Sequence, residues 1–129
     1  MNLQITAIYA ALLTFVFLVL SLRIITYRRA HRVGLGDDGD RDLVRRIRAQ
    51  GNCSEYAPLG VLLLALTEAQ GAPALLVHAL GATLLAGRIA HAWGFSRKPM
   101  HMGLRVAGTG LTLTMLAVTS FGLLGHALI

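Results

Sequence analysis

Over Arg45–Leu66, R-R-I-R-A-Q-G-N-C-S-E-Y-A-P-L-G-V-L-L-L-A-L, charged residues pass into apolar ones without a break. Arg45, Arg48, Asn52, Glu55 and Leu59 follow at alternating three- and four-residue steps, so a helix places them on one face, with Tyr56 beside Glu55. Two arginines, an amide, a carboxylate and a phenol therefore enter a hydrophobic region as one stripe. A carboxylate in hydrocarbon is costly unless it is paired or wet. The stripe requires an inward-facing polar site.

Further polar groups fall at the same level. Arg28 and Arg29 close the first apolar run, Gln50 lies within the stripe, Arg88 and His91 stand at i, i+3 near the end of the third run, and Arg105 opens the fourth. Such a layer suits an anionic ligand with several carboxylates, because guanidinium forks bind carboxylates bidentately. Glu55 would take a ligand ammonium.

Each group also has a plainer reading. Arg28, Arg29, Arg32, Arg97 and Lys98 serve equally as topology determinants and lipid-headgroup contacts. Arg48, Asn52 and Glu55 alone would make an intramembrane structural network. Cys53 is off the stripe and reads as a small packing residue. His78 and His126 lie far from the cluster and read as packing or interfacial groups. His91 and His101 lack a compact ligand spacing, so no metal site is expected. The G-T-G at Gly108–Gly110 follows no strand, which favours helix packing over dinucleotide binding.

The elements that position these groups follow from composition. The chain has 129 residues, 55% hydrophobic and 14% charged, with a mean hydropathy of +0.63, which suits one integral membrane domain better than a soluble one. A net charge of +6 and a pI near 10.8 raise the question of nucleic acid. All 12 Lys and Arg lie between Arg23 and Arg48 or between Arg88 and Arg105, without interleaved aromatics or a nucleic-acid motif. Basic residues gathered on alternate connections are the positive-inside pattern. One cysteine excludes an intrachain disulfide.

Four spans are expected, at about 3–27, 43–70, 74–95 and 104–128, as an all-α integral membrane four-helix bundle forming one domain over 1–129. Leu3–Leu22 is long enough to cross about 30 Å of hydrocarbon at 1.5 Å per residue. No Lys or Arg precedes it and Y-R-R-A-H-R follows it, which marks an uncleaved span with its N-terminus outside. The loop V-G-L-G-D-D-G-D precedes the second helix, for which Asp42 is the expected N-cap. Gly71 and Pro73 close the second helix and open the third. Both termini are expected outside, with both basic loops and the polar layer toward the cytoplasm. The Gly-, Thr- and Ala-rich fourth helix permits close contact.

The segment R-A-Q-G-N-C-S-E-Y-A-P-L, Arg48–Leu59, closely resembles the second-helix signature of the MAPEG family, the membrane-associated proteins of eicosanoid and glutathione metabolism, and is nearest its leukotriene-forming branch. R-R-A-H-R-V, Arg28–Val33, is similar to the end of that family's first helix. G-R-I-A-H-A-W-G-F, Gly87–Phe95, resembles its third-helix pattern in the prostaglandin E synthase and microsomal glutathione transferase branches. The short aspartate-rich loop looks like that of bacterial inner-membrane members. The resemblance covers essentially the whole chain.

It implies a homotrimer of four-helix subunits in the inner membrane, with glutathione as co-substrate held between neighbours near the cytoplasmic face. Carried over by position, Arg48, Asn52, Glu55 and Tyr56 would bind glutathione, with Gln50 nearby. Arg28 would approach from the first helix and Arg88 with His91 from the third, and Arg105 would be the thiol-activating arginine. A guanidinium favours a thiolate, and the thiolate is the nucleophile. The implied activity is that of a glutathione transferase or peroxidase acting on lipophilic electrophiles or hydroperoxides that arrive through the bilayer. Where the leukotriene-forming branch carries tyrosines on the third helix, this chain has His91 and Phe95. Phe95 cannot donate a hydrogen bond, which bears on turnover more than on binding.

Two other classes stand beside that reading. One is a noncatalytic membrane protein of the same fold that keeps the binding stripe. The other is a small four-span exporter coupled to protons through Glu55. A coupling carboxylate must titrate freely, whereas an adjacent Arg48 would hold Glu55 ionised.

Overall fold

A computed structural model describes residues 2–129 as four helices: α1 (Gln4–His31), α2 (Arg41–Ala69), α3 (Ala74–Ser96) and α4 (Met102–Leu128). These agree with the expected elements to within a few residues. α1, α3 and α4 are each long and apolar enough to cross a membrane. α2 is equally long, but its first half carries the polar stripe and only its second half, from Ala57, is continuously apolar before Thr67.

Asp40, not Asp42, caps α2. Its Oδ1 accepts from the backbone N–H of Asp42 at 2.8 Å and of Leu43 at 3.3 Å. Both aspartates have the right chemistry for a cap. Asp42 is instead turned to the α3–α4 loop, where it pairs with Lys98. Gly71, at φ +79°, lets the chain leave α2 in the left-handed region that other residues avoid.

α1 has no side-chain cap of its own at Leu3. Glu68, at the far end of α2, fills that role. Its carboxylate oxygens accept from the N–H groups of Ile5 at 3.0 Å and Thr6 at 2.7 Å, placing negative charge at the positive end of α1.

α3 is the centre of the bundle. It packs against all three other helices, while α1 and α4 do not meet. Its approach to α4 is close because glycines line it. A Cβ on Gly108 would come within 2.5 Å of the Gly87 carbonyl and the His91 nitrogen, and one on Gly94 within 2.9 Å of the Arg105 nitrogen. Gly108 therefore acts in helix packing, as its sequence setting implied, whereas Gly110 faces open space.

The core is divided. Leu13, Leu64, Val77, Leu80, Leu84 and Met115 fill the half far from the basic loops. Leu20, Ala49, Cys53 and Ala92 fill the half near them. Cys53 is a buried packing residue, as expected. A polar layer crosses α3 near the junction of the two.

Candidate functional site

That layer is built on Arg88. Gly87 and Gly108 bring α3 and α4 so close that the Arg88 side chain is 1% exposed. Its Nε donates to Thr112 Oγ1 at 2.9 Å. One terminal nitrogen donates to both the side-chain and the backbone oxygen of Asn52. The guanidinium lies 5.2 Å from the centre of the Tyr56 ring, a cation–π distance. The other terminal nitrogen is buried and has no partner among the described residues. One cation thus ties α2, α3 and α4 together and keeps a donor in reserve.

Thr112 was not singled out from sequence. Its hydroxyl also donates to the Gly108 carbonyl, so its proton is committed there and a lone pair is turned to the Arg88 Nε. The signal for it was the buried run Gly108, Thr112, Met115 and Thr119 at three- and four-residue steps.

Arg105 and His91 share a second region. Both line a groove of about 360 Å³ between α3 and α4, with Val106, Thr109 and Leu113. His91 is buried, with its ring 5.4 Å from that of Phe95. The Arg105 guanidinium lies 4.0 Å over the Phe95 ring, and one of its terminal nitrogens is 3.1 Å from the Met100 sulfur. Its Nε is buried and has no partner among the described residues. Phe95 therefore touches the proposed thiol-activating group directly, through its face and not through a hydrogen bond.

The remaining stripe residues face elsewhere. At about 100° per residue, Arg48 and Glu55 turn roughly 40–60° to one side of Asn52, and Tyr56 turns a similar amount to the other, toward α3. Arg48 and Glu55 are both exposed, and neither makes a hydrogen bond or ion pair among the described residues. Leu59, Leu62 and Leu66 continue that exposed face along α2. Gln50 turns to α1, where its amide is 3.4 Å from the Ser21 hydroxyl. Arg28 donates to the Gly36 carbonyl at 2.7 Å and so holds the α1–α2 loop. The chain thus gathers Asn52, Tyr56 and Arg88, sets His91 beside Arg105, and leaves Arg48, Glu55, Gln50 and Arg28 on other surfaces. Among the described residues no three His, Cys, Asp or Glu side chains group as metal ligands.

On the loop side, Tyr27 donates to Asp40 Oδ2 at 2.6 Å. That bond, with the cap N–H groups, holds the Asp40 carboxyl below the usual carboxylate range. Lys98 does the same for Asp42.

Long apolar helices packed through glycines around a buried guanidinium–amide layer define a small integral membrane helical bundle. The chain belongs to the MAPEG family, whose profile matches residues 6–125. It is 36% identical to inner membrane protein YecN of Escherichia coli strain K12 over 95 residues, covering 74% of this chain and 72% of that protein. It is 35% identical to leukotriene C4 synthase of Cavia porcellus over 113 residues, covering 84% of this chain and 73% of that protein. The protein is accordingly a membrane protein, associated with the lipid bilayer through its apolar helices.

Proposed function

We propose that the protein is a glutathione-dependent membrane transferase or peroxidase. All four helices span the inner membrane in this reading, with both termini outside and the site toward the cytoplasmic face. The chain assembles as a homotrimer with glutathione held between neighbouring subunits. The observation that carries it is the pair Arg48 and Glu55. They are an exposed cation and anion on a helix of a membrane bundle, separated by two turns, about 10 Å, and neither is paired among the described residues. Leaving both bare beside hydrocarbon is costly. Glutathione offers carboxylates for Arg48 and an ammonium for Glu55, and the Leu59–Leu62–Leu66 face offers a neighbouring subunit an apolar seam.

Asn52 and Tyr56 orient the ligand from the inner edge of the stripe, backed by Arg88. Gln50 and Arg28, directed toward the α1 side, complete the site from the adjoining subunit. Membership of the MAPEG family and similarity to leukotriene C4 synthase support glutathione chemistry here. Bound glutathione supplies a thiolate as the nucleophile. At an electrophilic carbon it forms a C–S bond as a leaving group departs or an epoxide opens. At a hydroperoxide it cleaves the O–O bond to release an alcohol, and a second glutathione then reduces the oxidised sulfur to give glutathione disulfide. The unpartnered Nε of Arg105 is a donor available to favour the ionised form of the bound thiol.

The Phe95 contact favours a second reading, a binding protein of the same fold with little turnover. An arginine held against an aromatic face and a methionine sulfur is less free to follow a thiolate.

Calorimetry of glutathione binding to the detergent-purified protein, with thiolate absorbance followed in the same samples, separates the readings. Binding with a thiolate signal is the expected result. Binding without one supports the noncatalytic reading. No binding to a well-folded protein overturns both.

A further inference from the structure

α1 and α3 enclose a groove that the polar layer does not use. Its volume is about 570 Å³, the size of a small-molecule site. Phe15, Val19, Leu20, Ile89 and Trp93 line its walls, and Phe15, Val19 and Trp93 are exposed, so it opens where lipid would lie. At the basic end stand Arg23, Ser96 and Arg97. Arg23 donates to the Ser96 hydroxyl, which itself donates to the Ala92 carbonyl at 2.6 Å.

Arg23 also belongs to a second feature. It lines a narrow niche together with Arg45, Arg46, Lys98 and Asp42. Five cations, counting Arg97, thus face a single carboxylate at the mouth of the groove. Asp42 is already paired with Lys98. The Nε of Arg46 is buried there and has no partner among the described residues. An apolar channel and a cationic niche meet at one residue.

We propose that this groove binds an anionic phospholipid, with one acyl chain between α1 and α3 and the phosphate against Arg23, Arg46 and Arg97. Basic pockets between helices on the loop side of a membrane protein match anionic headgroups. A second copy of this chain is a poor occupant, since it brings a net charge of +6 to a surface already in cationic excess. The site is independent of the thiol chemistry, because none of the residues assigned to glutathione lines it.

The test is native mass spectrometry of the full chain in mild detergent, incubated with dioleoyl phosphatidylglycerol, dioleoyl phosphatidylcholine or oleate. Phosphatidylglycerol should be retained at least about fivefold over phosphatidylcholine, as each basic contact at a membrane surface contributes about that factor. Arg23→Ala/Arg46→Ala should bring it to the phosphatidylcholine level. Arg97→Glu, at an exposed position that leaves the fold intact, should lower it about fivefold or more, and Val19→Trp should lower it by filling the groove from its rim. Equal retention of the two phospholipids, or unchanged retention in Arg97→Glu, overturns the proposal. Displacement of phosphatidylglycerol by equimolar oleate also overturns it, reassigning the groove to single-chain acids.

Discussion

Arg88 of α3 donates to Asn52 of α2 from a position where only 1% of its surface is exposed. A buried cation is tolerated when its hydrogen bonds are met, and removing one partner costs more than the bond itself contributed. Asn52→Ala should lower stability by about 2–3 kcal/mol, read as a fall in the detergent melting temperature. Asn52→Leu with Arg88→Met, which removes both polar groups, should recover part of that loss. A double variant less stable than Asn52→Ala would show that the pair is not the source.

Arg105 and Phe95 test the chemistry. Arg105→Ala should raise the bound thiol's pKa by about 1–2 units and remove the thiolate absorbance at neutral pH, with glutathione affinity changed by less than about threefold, under 1 kcal/mol. Phe95→Tyr replaces the ring under the guanidinium with one that carries a donor. It should increase the thiolate signal. Turnover unchanged in Arg105→Ala would move the activating role to another group.

Glu55 separates transferase from exporter. Glu55→Gln keeps the shape and removes the charge that would meet an ammonium, so glutathione binding should weaken about tenfold or more, corresponding to a charged hydrogen bond of about 1.5 kcal/mol. Binding left intact together with loss of proton-coupled efflux from vesicles would support transport instead. The absence of an ion pair between Glu55 and Arg48 within the chain removes one objection to that alternative, so the efflux measurement decides something.

Glu68 joins the beginning of the chain to the end of α2. Glu68→Ala leaves the Ile5 and Thr6 N–H groups without their acceptor and should cost about 1–2 kcal/mol, the scale of an N-cap. Amide exchange should rise first at Ile5 and Thr6. Protection unchanged there would mean that solvent or headgroups replace the carboxylate.

Acid should loosen the loop side. Asp40 and Asp42 have folded pKa values below their unfolded ones. The stability they add is present above the unfolded value, about 3.9, and is lost as pH falls through the folded values. A melting series should therefore decline below about pH 4 from this source. Asp40→Asn keeps an oxygen for the cap but removes the charge, and should shallow that decline. An identical acid limb in the variant would exclude Asp40 as its cause.

The sequence by itself determined the number of helices, their approximate ends and the family. Helical spacing and apolar length act locally, so Arg48–Leu59 declares both a helix and a polar face without knowledge of what packs on it. The small residues of α4 likewise announced close packing, although not that Gly108 meets Gly87 while Gly110 meets nothing. What only the tertiary structure decided is which polar groups meet. Asp40 and Asp42 are equally good caps on paper, and the position of Lys98 separates them. Arg48, Asn52 and Tyr56 read as one stripe, yet the angle at which α3 crosses α2 takes Asn52 and Tyr56 to Arg88 and leaves Arg48 with Glu55 outside. A helical repeat sets angular order around one axis. The partner for each angle is set by where the other axes lie, and that depends on glycine contacts between different helices, such as Gly87 with Gly108 and Gly60 with Leu84.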